Sequence, residues 1–297
     1  MERIPFTVIG GYLGAGKTTL LNNLLKGASR RIALLVNDFG EINIDAALIE
    51  SQDDAQINLT NGCVCCTLTD GFYDAIDQLL SLSPPPDHIV VEASGVADVT
   101  NLAQYGHGHG LTLDGVIVLA DAETVRAKAD DKYVAQTVRR QLAAADVIVI
   151  NKTNLVSESS LASLESWLAD NFDEPRVLRA CQADVPIPLL LGIHDGRELT
   201  DVDEAHAHYD NWLYRSEQAV SRKQLDAFLD TLDDNVIRLK GFVRGQGSDA
   251  WLVQCVGRRR SVVRVAPDGE GTRLVAIGLE GFLPVVTLTA SADRCLG

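Results

Sequence analysis

A glycine-rich segment near the amino terminus constrains the fold more than any other feature of the sequence. It covers Gly11–Thr18, with the letters GYLGAGKT, and satisfies the P-loop pattern of two glycines, a lysine and a threonine. The apolar run Phe6–Ile9 precedes it, and the amphipathic stretch Thr18–Leu25 follows it. A strand, a glycine-rich loop and a helix in this order predict the first unit of a P-loop nucleotide-binding domain.

The residues of this loop have distinct chemical tasks. Glycines allow backbone N–H groups to surround phosphate, Lys17 is predicted to neutralise the β- and γ-phosphate oxygens, and Thr18 is predicted to ligate Mg²⁺. Lys17 and Thr18 are therefore also predicted to act in catalysis. The nucleotide-binding residues predicted here are Gly11, Gly14, Ala15, Gly16, Lys17, Thr18 and Thr19.

Short apolar runs alternate with amphipathic stretches through the first 195 residues. Strands are predicted at Phe6–Ile9, Ile32–Val36, Gln56–Leu59, His88–Val91, Gly115–Ala120, Val147–Ile150 and Arg176–Leu178, and helices at Thr18–Leu25, Gly71–Leu82, Glu123–Ala144 and Ser159–Asn171. This alternation predicts right-handed crossovers and an α/β fold with a mostly parallel sheet covered on both faces. In such a sheet, ligands bind at the carboxyl ends of the strands.

The composition changes after residue 195 and divides the chain. We predict a P-loop domain over 1–195, a linker over 196–215, and a smaller α+β domain over 216–297. The smaller domain is predicted to begin with a helix, Ser221–Leu232, in which Ser221 is the N-cap. Strands are predicted to follow at Val236–Val243, Trp251–Val256, Ser261–Val265 and Arg273–Ile277.

Charge and hydropathy narrow the classes of partner. The 41 Asp and Glu residues outnumber the 26 Lys and Arg residues, which gives a net charge of −15 and argues against a nucleic-acid partner. No apolar run approaches the roughly 18 residues of a membrane span, and Phe6–Ile9 leads directly into glycines and not into a signal-peptide cleavage site. We expect a cytoplasmic protein that binds neither nucleic acid nor membrane.

An apolar strand that ends in an acid, Ile89–Glu92, follows the P-loop along the chain. This is the order in which P-loop hydrolases carry their second magnesium-binding element. Glu92 is predicted to hold Mg²⁺ through water, and Gly95, three residues later, is predicted to contact the γ-phosphate through its N–H. Glu92 is accordingly counted among the catalytic residues.

A third motif, Asn151–Asn154, stands where P-loop GTPases carry Asn-Lys-x-Asp. Asn151, Lys152 and Asn154 are therefore predicted to bind the nucleotide. In that motif the Asp carboxylate accepts both N1–H and the 2-amino group of guanine, whereas the amide of Asn154 offers one acceptor oxygen and an NH₂ group. An unpaired buried donor costs about 1–3 kcal/mol, so the selectivity of this chain for guanine is open.

Three of the six cysteines, Cys63, Cys65 and Cys66, lie within four residues. Thiolates are soft ligands for Zn²⁺ or Cu⁺, and three of them leave one coordination position open. We predict a metal site on the phosphate side of the sheet. Other candidates are weaker: Cys181, Cys255 and Cys295 are interpreted as buried and inert, and His107, His109, His206 and His208 as exposed loop residues.

Taken together, the motifs resemble the CobW-type family of P-loop GTPases, which includes cobalamin-synthesis W proteins, nitrile hydratase activators and zinc chaperones. The segments that carry the resemblance are Gly11–Thr18, Asn37–Glu41, Gly62–Cys66, Glu92–Asp98 and Asn151–Asn154, with Arg238–Phe242 and Ala276–Gly278 in the second domain. Three positions depart from the family pattern: Val36, where some members have Glu; Asp38, where the family has Glu; and Asn154, which replaces Asp.

The resemblance implies a GTPase whose Mg²⁺-dependent hydrolysis is coupled to loading or delivering a transition metal, Zn²⁺ or Co²⁺, to a client metalloprotein. It places Asp38 and Glu41 in the first switch. The predicted metal-binding residues are of three kinds: Thr18 for Mg²⁺, Asp38 and Glu41 in the first switch, and Cys63, Cys65 and Cys66 in the transition-metal motif. Asp98 and Glu41 are the candidates for positioning the attacking water.

Two other functions are compatible with the sequence. A P-loop kinase acting on a small molecule, with an incidental thiol site, would need an acceptor pocket and phosphate-clamping arginines in a lid. A nucleotide-gated metal-binding protein with negligible turnover would explain why no glutamine-like catalytic residue is identifiable.

Overall fold

The computed structural model describes residues 3–27, 31–36, 56–59, 70–108, 110–173, 176–191, 209–257, 259–267 and 271–297 of the 297. The chain separates into two compact units, Met1–Ile187 and Pro188–Gly297. Each unit has its own sheet and its own hydrophobic core.

The first unit is built around a seven-stranded sheet. Its strands are β1 (Ile4–Gly11), β2 (Ile32–Val36), β3 (Gln56–Leu59), β4 (His88–Glu92), β5 (Leu111–Asp121), β6 (Val147–Asn151) and β7 (Arg176–Arg179). They lie in the order β3-β2-β4-β1-β5-β6-β7, and all six pairings among these described strands are parallel. The prediction of an α/β fold with a mostly parallel sheet is confirmed.

Helices accompany this sheet along the chain. They are α1 (Lys17–Gly27), α2 (Asp70–Leu80), α3 (Val99–Tyr105), α4 (Val125–Ala129), α5 (Ala135–Ala144) and α6 (Glu158–Asn171), with the short α7 (Ile187–Leu190) where the two units meet in sequence. Strands β4 and β6 are buried at every position, because a parallel sheet with helices on both faces has no solvent face. Continuous apolar runs are therefore the pattern from which these strands could be predicted.

The helix predicted over Glu123–Ala144 is wrong in one respect, because it is interrupted. Helix α4 ends at Ala129, and α5 begins at Ala135. Between them the Asp131 carboxylate accepts hydrogen bonds from the backbone N–H groups of Tyr133 and Val134, at 2.8 and 3.1 Å. Such side-chain hydrogen bonds offer the backbone an alternative to the helical pattern, and here they hold the turn that separates the two helices.

Three polar side chains lie inside the sheet, in its amino-terminal half. Thr7 of β1, His88 of β4 and Asp114 of β5 are all at most 4% exposed. The Thr7 hydroxyl lies 2.8 Å from Nε2 of His88 and donates to Oδ2 of Asp114 at 3.3 Å. These contacts join three neighbouring strands within the core.

The second unit has a five-stranded antiparallel sheet. Its elements are β8 (Tyr209–Ser216), α8 (Arg222–Leu229), β9 (Arg238–Arg244), β10 (Ala250–Val256), β11 (Arg259–Val265), β12 (Thr272–Leu279) and α9 (Val285–Leu296). The strand order is β11-β10-β9-β12-β8. Ser221 is the N-cap of α8 as predicted, and it forms a capping box with Gln224.

Two elements of this unit were not predicted. Strand β8 pairs with β12 along its whole length, so the linker predicted to extend to residue 215 contains a strand. Trp212 and Tyr214 of β8 are buried, whereas Leu213 between them is 46% exposed, which is the alternation of a strand with one core face. The other unpredicted element is α9. The boundaries 1–195 and 216–297 otherwise stay a prediction.

No helix within the described ranges is both long enough and apolar enough to cross a membrane.

Candidate nucleotide-binding site

The P-loop connects the carboxyl end of β1 to the first turn of α1, as predicted. Gly11 and Gly16 have φ values of +136° and +107°, which side-chain-bearing residues rarely adopt. A Cβ on Gly11 would lie 2.6 Å from the carbonyl oxygen of Leu119, and one on Gly16 would collide with the Asn151 amide. The loop therefore needs glycine at both positions to approach its neighbours.

Lys17 and Thr18 open helix α1. The Lys17 side chain is buried, and Nζ donates a hydrogen bond to the carbonyl oxygen of Gly11 at 2.9 Å, so the ammonium group lies across the loop. Thr18 is half-buried and Thr19 is exposed. The first turn of α1 carries no acidic side chain, so its backbone N–H groups and its positive dipole end can bind an anion.

The end of β4 lies beside the P-loop. Glu92 is 3% exposed and is aligned with Ile9 of β1 and with Val36 of β2 in the parallel register. The segment that follows packs against the loop tip, since a Cβ on Gly95 would lie 2.8 Å from the backbone nitrogen of Leu13. The structure therefore brings Glu92 and Gly95 to the same end of the sheet as Lys17.

Helix α5 holds the segment that follows β4 in place. The buried Gln141 donates through Nε2 to the carbonyl oxygens of Gly95 and Ala97, at 3.2 and 3.0 Å. Asp98, the residue after Ala97, has a structural role. Its carboxylate accepts a hydrogen bond from the backbone N–H of Thr100 at 2.9 Å and caps α3. This capping role accounts for a carboxylate at position 98, and a catalytic role for Asp98 stays a prediction.

Asn151, at the end of β6, joins the P-loop to the loop after β7. It is 2% exposed, and its Nδ2 donates to the carbonyl oxygen of Ala15 at 2.9 Å. Its Oδ1 accepts from the backbone N–H of Ala183 at 2.8 Å. Both ends of the amide are used, so Asn151 holds the phosphate-binding loop in place.

Lys152 binds a carboxylate that the sequence analysis did not select. Its Nζ lies 2.7 Å from Oδ2 of Asp121, the last residue of β5. Burial alone would raise the pKa of Asp121, but hydrogen bonds from Lys152 and from the backbone N–H of Glu123 outweigh it and lower that pKa. An acid at the end of an apolar strand, the same signal as at Glu92, could have identified it.

The side chain of Asn154 contacts a cysteine. Sγ of Cys181, just beyond β7, donates to Oδ1 of Asn154 at 3.1 Å, and both residues are exposed. The expectation that Cys181 is buried was therefore wrong, because the residue lies at the carboxyl edge of the sheet and not within it. Cys255 is buried as expected, and burial raises the pKa of its thiol to about 12, whereas Cys295 is half-buried.

Lys128, on α4, is a further residue at this site that sequence reasoning missed. Its Nζ donates to the carbonyl oxygen of Leu13 at 3.3 Å and lies 5.0 Å from the centre of the Tyr12 ring. No local motif indicates this contact, because Lys128 is separated from the loop by more than one hundred residues.

The predicted transition-metal site lies outside the described residues. This holds for Asp38, Glu41, Cys63, Cys65 and Cys66, and also for His109, His206 and His208. Within the ranges that the structure describes, no group of three or more His, Cys, Asp or Glu side chains is arranged to hold a metal ion. His107 is exposed.

The arrangement of β1, P-loop, α1 and β4 has counterparts among known proteins. Residues 5–178 match the CobW/HypB/UreG nucleotide-binding domain, and residues 209–296 match the cobalamin synthesis protein cobW C-terminal domain. This chain belongs to the CobW family. The resemblance inferred from the sequence is confirmed.

Individual CobW relatives are similar over nearly the whole chain. The zinc chaperone CobW of Sinorhizobium sp is 33% identical over 93% of this chain and 93% of its own length. The zinc chaperone CobW of Pseudomonas aeruginosa is 31% identical over 94% of this chain and 88% of its own length. The crystal structure of Zn(II)-bound YjiA GTPase from E. coli has the same fold, with a TM-score of 0.50 and 23% identity over 99% of both chains.

Proposed function

We propose that this CobW-family protein is a Mg²⁺-dependent GTPase that couples nucleotide hydrolysis to the handling of a transition metal, with Zn²⁺ as the first candidate and Co²⁺ as the second. One observation carries the proposal. A P-loop with a buried lysine, a buried acid at the end of the adjacent strand, and the Asn151–Asn154 loop lie at one edge of the sheet, in a chain similar to zinc chaperones over 93% of its length.

The phosphate and Mg²⁺ positions fit the residues present. Backbone N–H groups of the P-loop and the Lys17 ammonium would bind the phosphates, and the hydroxyl of Thr18 and the carboxylate of Glu92 are the hard oxygen donors that Mg²⁺ prefers. Mg²⁺ supplies charge neutralisation on the phosphate oxygens when bound. The N–H of Gly95, held against Leu13, is the group that would respond to the γ-phosphate.

The metal cargo belongs to a different part of the chain. Cys63, Cys65 and Cys66 would bind the transition metal as thiolates, between the first switch and Glu92 in sequence. Ordering of the switch segments by the γ-phosphate would change the surroundings of this motif, which is the basis of a nucleotide-dependent metal affinity. The relatives' names imply that the metal is delivered to a client metalloprotein.

The proposal is tested by measuring phosphate release from GTP with Mg²⁺, with and without Zn²⁺. We expect phosphate release without any added acceptor molecule. A small-molecule kinase would release no phosphate until its acceptor is supplied. Lys17→Ala should lose nucleotide binding and hydrolysis while staying folded, because the ammonium faces the loop. Lys223→Ala, an exposed lysine of the second unit, is the matched control and should keep full activity. Unchanged turnover in folded Lys17→Ala would contradict the assignment of the site.

Mass spectrometry of the natively purified protein complements this assay, because it identifies bound nucleotide and bound metal in one measurement. We expect a guanine or related purine nucleotide and Zn²⁺ or Co²⁺. A protein that binds both but releases no phosphate would be a nucleotide-gated metal-binding protein.

A further inference from the structure

A thiol and an amide form a pair at the edge of the sheet where the nucleotide base is expected. Cys181 donates to Oδ1 of Asn154 at 3.1 Å, and both side chains are exposed and accessible to a ligand. In P-loop GTPases the residue at the position of Asn154 accepts hydrogen bonds from guanine. The pair therefore lies where base specificity is determined.

The backbone around the pair is held by several hydrogen bonds. The N–H and the hydroxyl of Thr153 both donate to the carbonyl oxygen of Ala180, at 3.1 and 3.0 Å. The N–H of Ala183 donates to the buried Asn151 amide at 2.8 Å. The loops that carry Asn154 and Cys181 are thus joined on both sides of the pair, and the distance between the two side chains follows from them.

The thiol is a weak donor, and its contact with Oδ1 favours one orientation of the Asn154 amide. Because the S–H group donates to Oδ1, the oxygen lies on the Cys181 side and the NH₂ group on the other. The amide then presents one acceptor next to one donor. The N1 and C2 edge of guanine presents two donors, N1–H and the 2-amino group, so one of them faces the NH₂ group of Asn154 whichever way the base lies.

Xanthine has the complementary pattern at the same ring positions. Its N1–H is a donor, and its 2-carbonyl is an acceptor for the amide NH₂ group. Hypoxanthine retains N1–H but has no substituent at position 2, so it avoids the donor–donor contact without gaining the second hydrogen bond.

We propose that Asn154 and Cys181 together determine the base specificity of this site, and that the site prefers a purine nucleotide with an acceptor at position 2 to a guanine nucleotide. Asn154 contacts the base, and Cys181 is a positioning residue that acts through the orientation of the Asn154 amide. This inference rests on the proposed function, because it requires a nucleotide at this edge of the sheet.

The test is a competition binding measurement with GDP, IDP and XDP in the presence of Mg²⁺, since diphosphates are not hydrolysed. In the native protein XDP should bind about tenfold more tightly than GDP, and IDP at least as tightly as GDP. Tighter binding of GDP than of IDP would overturn the inference and leave the proposed function intact. Failure of all three to bind would overturn the proposed function and this inference with it.

Variants separate the roles of the two residues. Asn154→Asp provides two acceptors and should reverse the order, so that GDP binds more tightly than XDP. Cys181→Ala removes the donor and should reduce the preference for XDP, whereas Cys181→Ser keeps an O–H donor and should preserve it. A purely structural role would weaken all nucleotides equally, and a full XDP preference in Cys181→Ala would overturn the role of the thiol.

Alkylation mapped by peptide mass spectrometry gives a readout that is independent of affinity. XDP should protect Cys181 from iodoacetamide, because the base would cover the thiol. Cys295 in the second unit is the internal reference and should react at the same rate with and without nucleotide. Equal reactivity of Cys181 in both conditions, at saturating XDP, would overturn the placement of the base.

Discussion

Asn151 shows how a single buried residue can hold a binding loop in place through hydrogen bonds to the backbone. Its amide makes one hydrogen bond to the P-loop at Ala15 and one to Ala183 beyond β7. Each partner is a backbone group that would lose its hydrogen bond if the amide were removed. The P-loop conformation therefore depends on a residue far away in sequence.

We expect Asn151→Ala to lower the free energy of unfolding by about 1–3 kcal/mol, because it removes hydrogen bonds from buried backbone groups. Nucleotide affinity should fall as well, since the Ala15 carbonyl is no longer held. Urea unfolding and nucleotide titration measure the two effects. Asn154→Ala is the control, and it should leave stability nearly unchanged because Asn154 is exposed. Equal stability losses in the two variants would contradict this account.

The Asp121–Lys152 pair predicts a pH dependence. The pKa of Asp121 is lowered in the folded state, so the ionised carboxylate stabilises the fold above the ordinary carboxyl pKa, and this stabilisation is lost as the pH falls through the lowered pKa. The stability advantage of the native protein over Asp121→Asn should be largest near neutral pH and should shrink below about pH 4. The test is to measure the free energy of unfolding across this pH range. Asp130→Asn, which removes an exposed ion pair with Arg139, is the control.

Residues at the site differed in how well the sequence could predict them. Lys17 and Thr18 belong to a contiguous motif, so their place at a strand–helix junction follows from local order. Cys181 and Lys128 carry no such motif, and their contacts depend on which strands are neighbours and where the following loops turn. The pairing of β7 with β6 joins residues that are far apart in the chain, so no local sequence pattern predicts its register.

At the level of elements, the strands of the parallel sheet were the most predictable part. The apolar runs of β4 and β6 are continuous because these strands are buried at every position, and Ile32–Val36 and Gln56–Leu59 have the predicted bounds. Helix α3 was missed because it is only seven residues long and begins at the Asp98 cap. Strand β8 was missed because its polar residues, such as Asp210 and Asn211, are typical of a linker, although its aromatic residues alternate.

The polar contact between β1, β4 and β5 leads to a prediction about the sheet itself. Thr7→Val keeps the shape of the side chain but removes the hydroxyl that contacts His88 and Asp114. We expect a loss of about 1–3 kcal/mol in the free energy of unfolding, because these buried groups lose a hydrogen bond. Thr112→Val on β5 is half-buried and should change stability by less than about 0.5 kcal/mol. Equal effects in urea unfolding would contradict the role of the Thr7 hydroxyl.

For the whole molecule, the sequence predicted two domains of different class, and the structure has a parallel α/β unit followed by an antiparallel unit. The change of composition after residue 195 divided the chain, and within the first unit a P-loop, a terminal acid and an Asn-Lys segment each mark the end of a strand of one sheet. The predicted metal motif lies between two of these elements in sequence, at Cys63, Cys65 and Cys66. This position leads to a prediction about the molecule as a unit.

Metal affinity and nucleotide state are expected to be coupled. If the three thiols bind Zn²⁺ as thiolates, binding releases protons and the affinity should rise with pH. The triphosphate state would order the switch that carries Glu41, a candidate fourth ligand, whereas the diphosphate state would free it. A coupling of about 1–3 kcal/mol, typical of allosteric linkage, corresponds to a change of about 5- to 150-fold in Zn²⁺ affinity.

Titration of Zn²⁺ against a competing chelator, with GDP or a non-hydrolysable GTP analogue, measures this coupling directly. The native protein should bind Zn²⁺ more tightly with the analogue, and Cys65→Ser should lose both the affinity and its nucleotide dependence. Cys295→Ser, in the second unit, is the matched control and should behave like the native protein. Identical affinities in the two nucleotide states would contradict the coupled mechanism even if Zn²⁺ binds. Native affinity in Cys65→Ser would place the site elsewhere, with His107 and His109 as the next candidates.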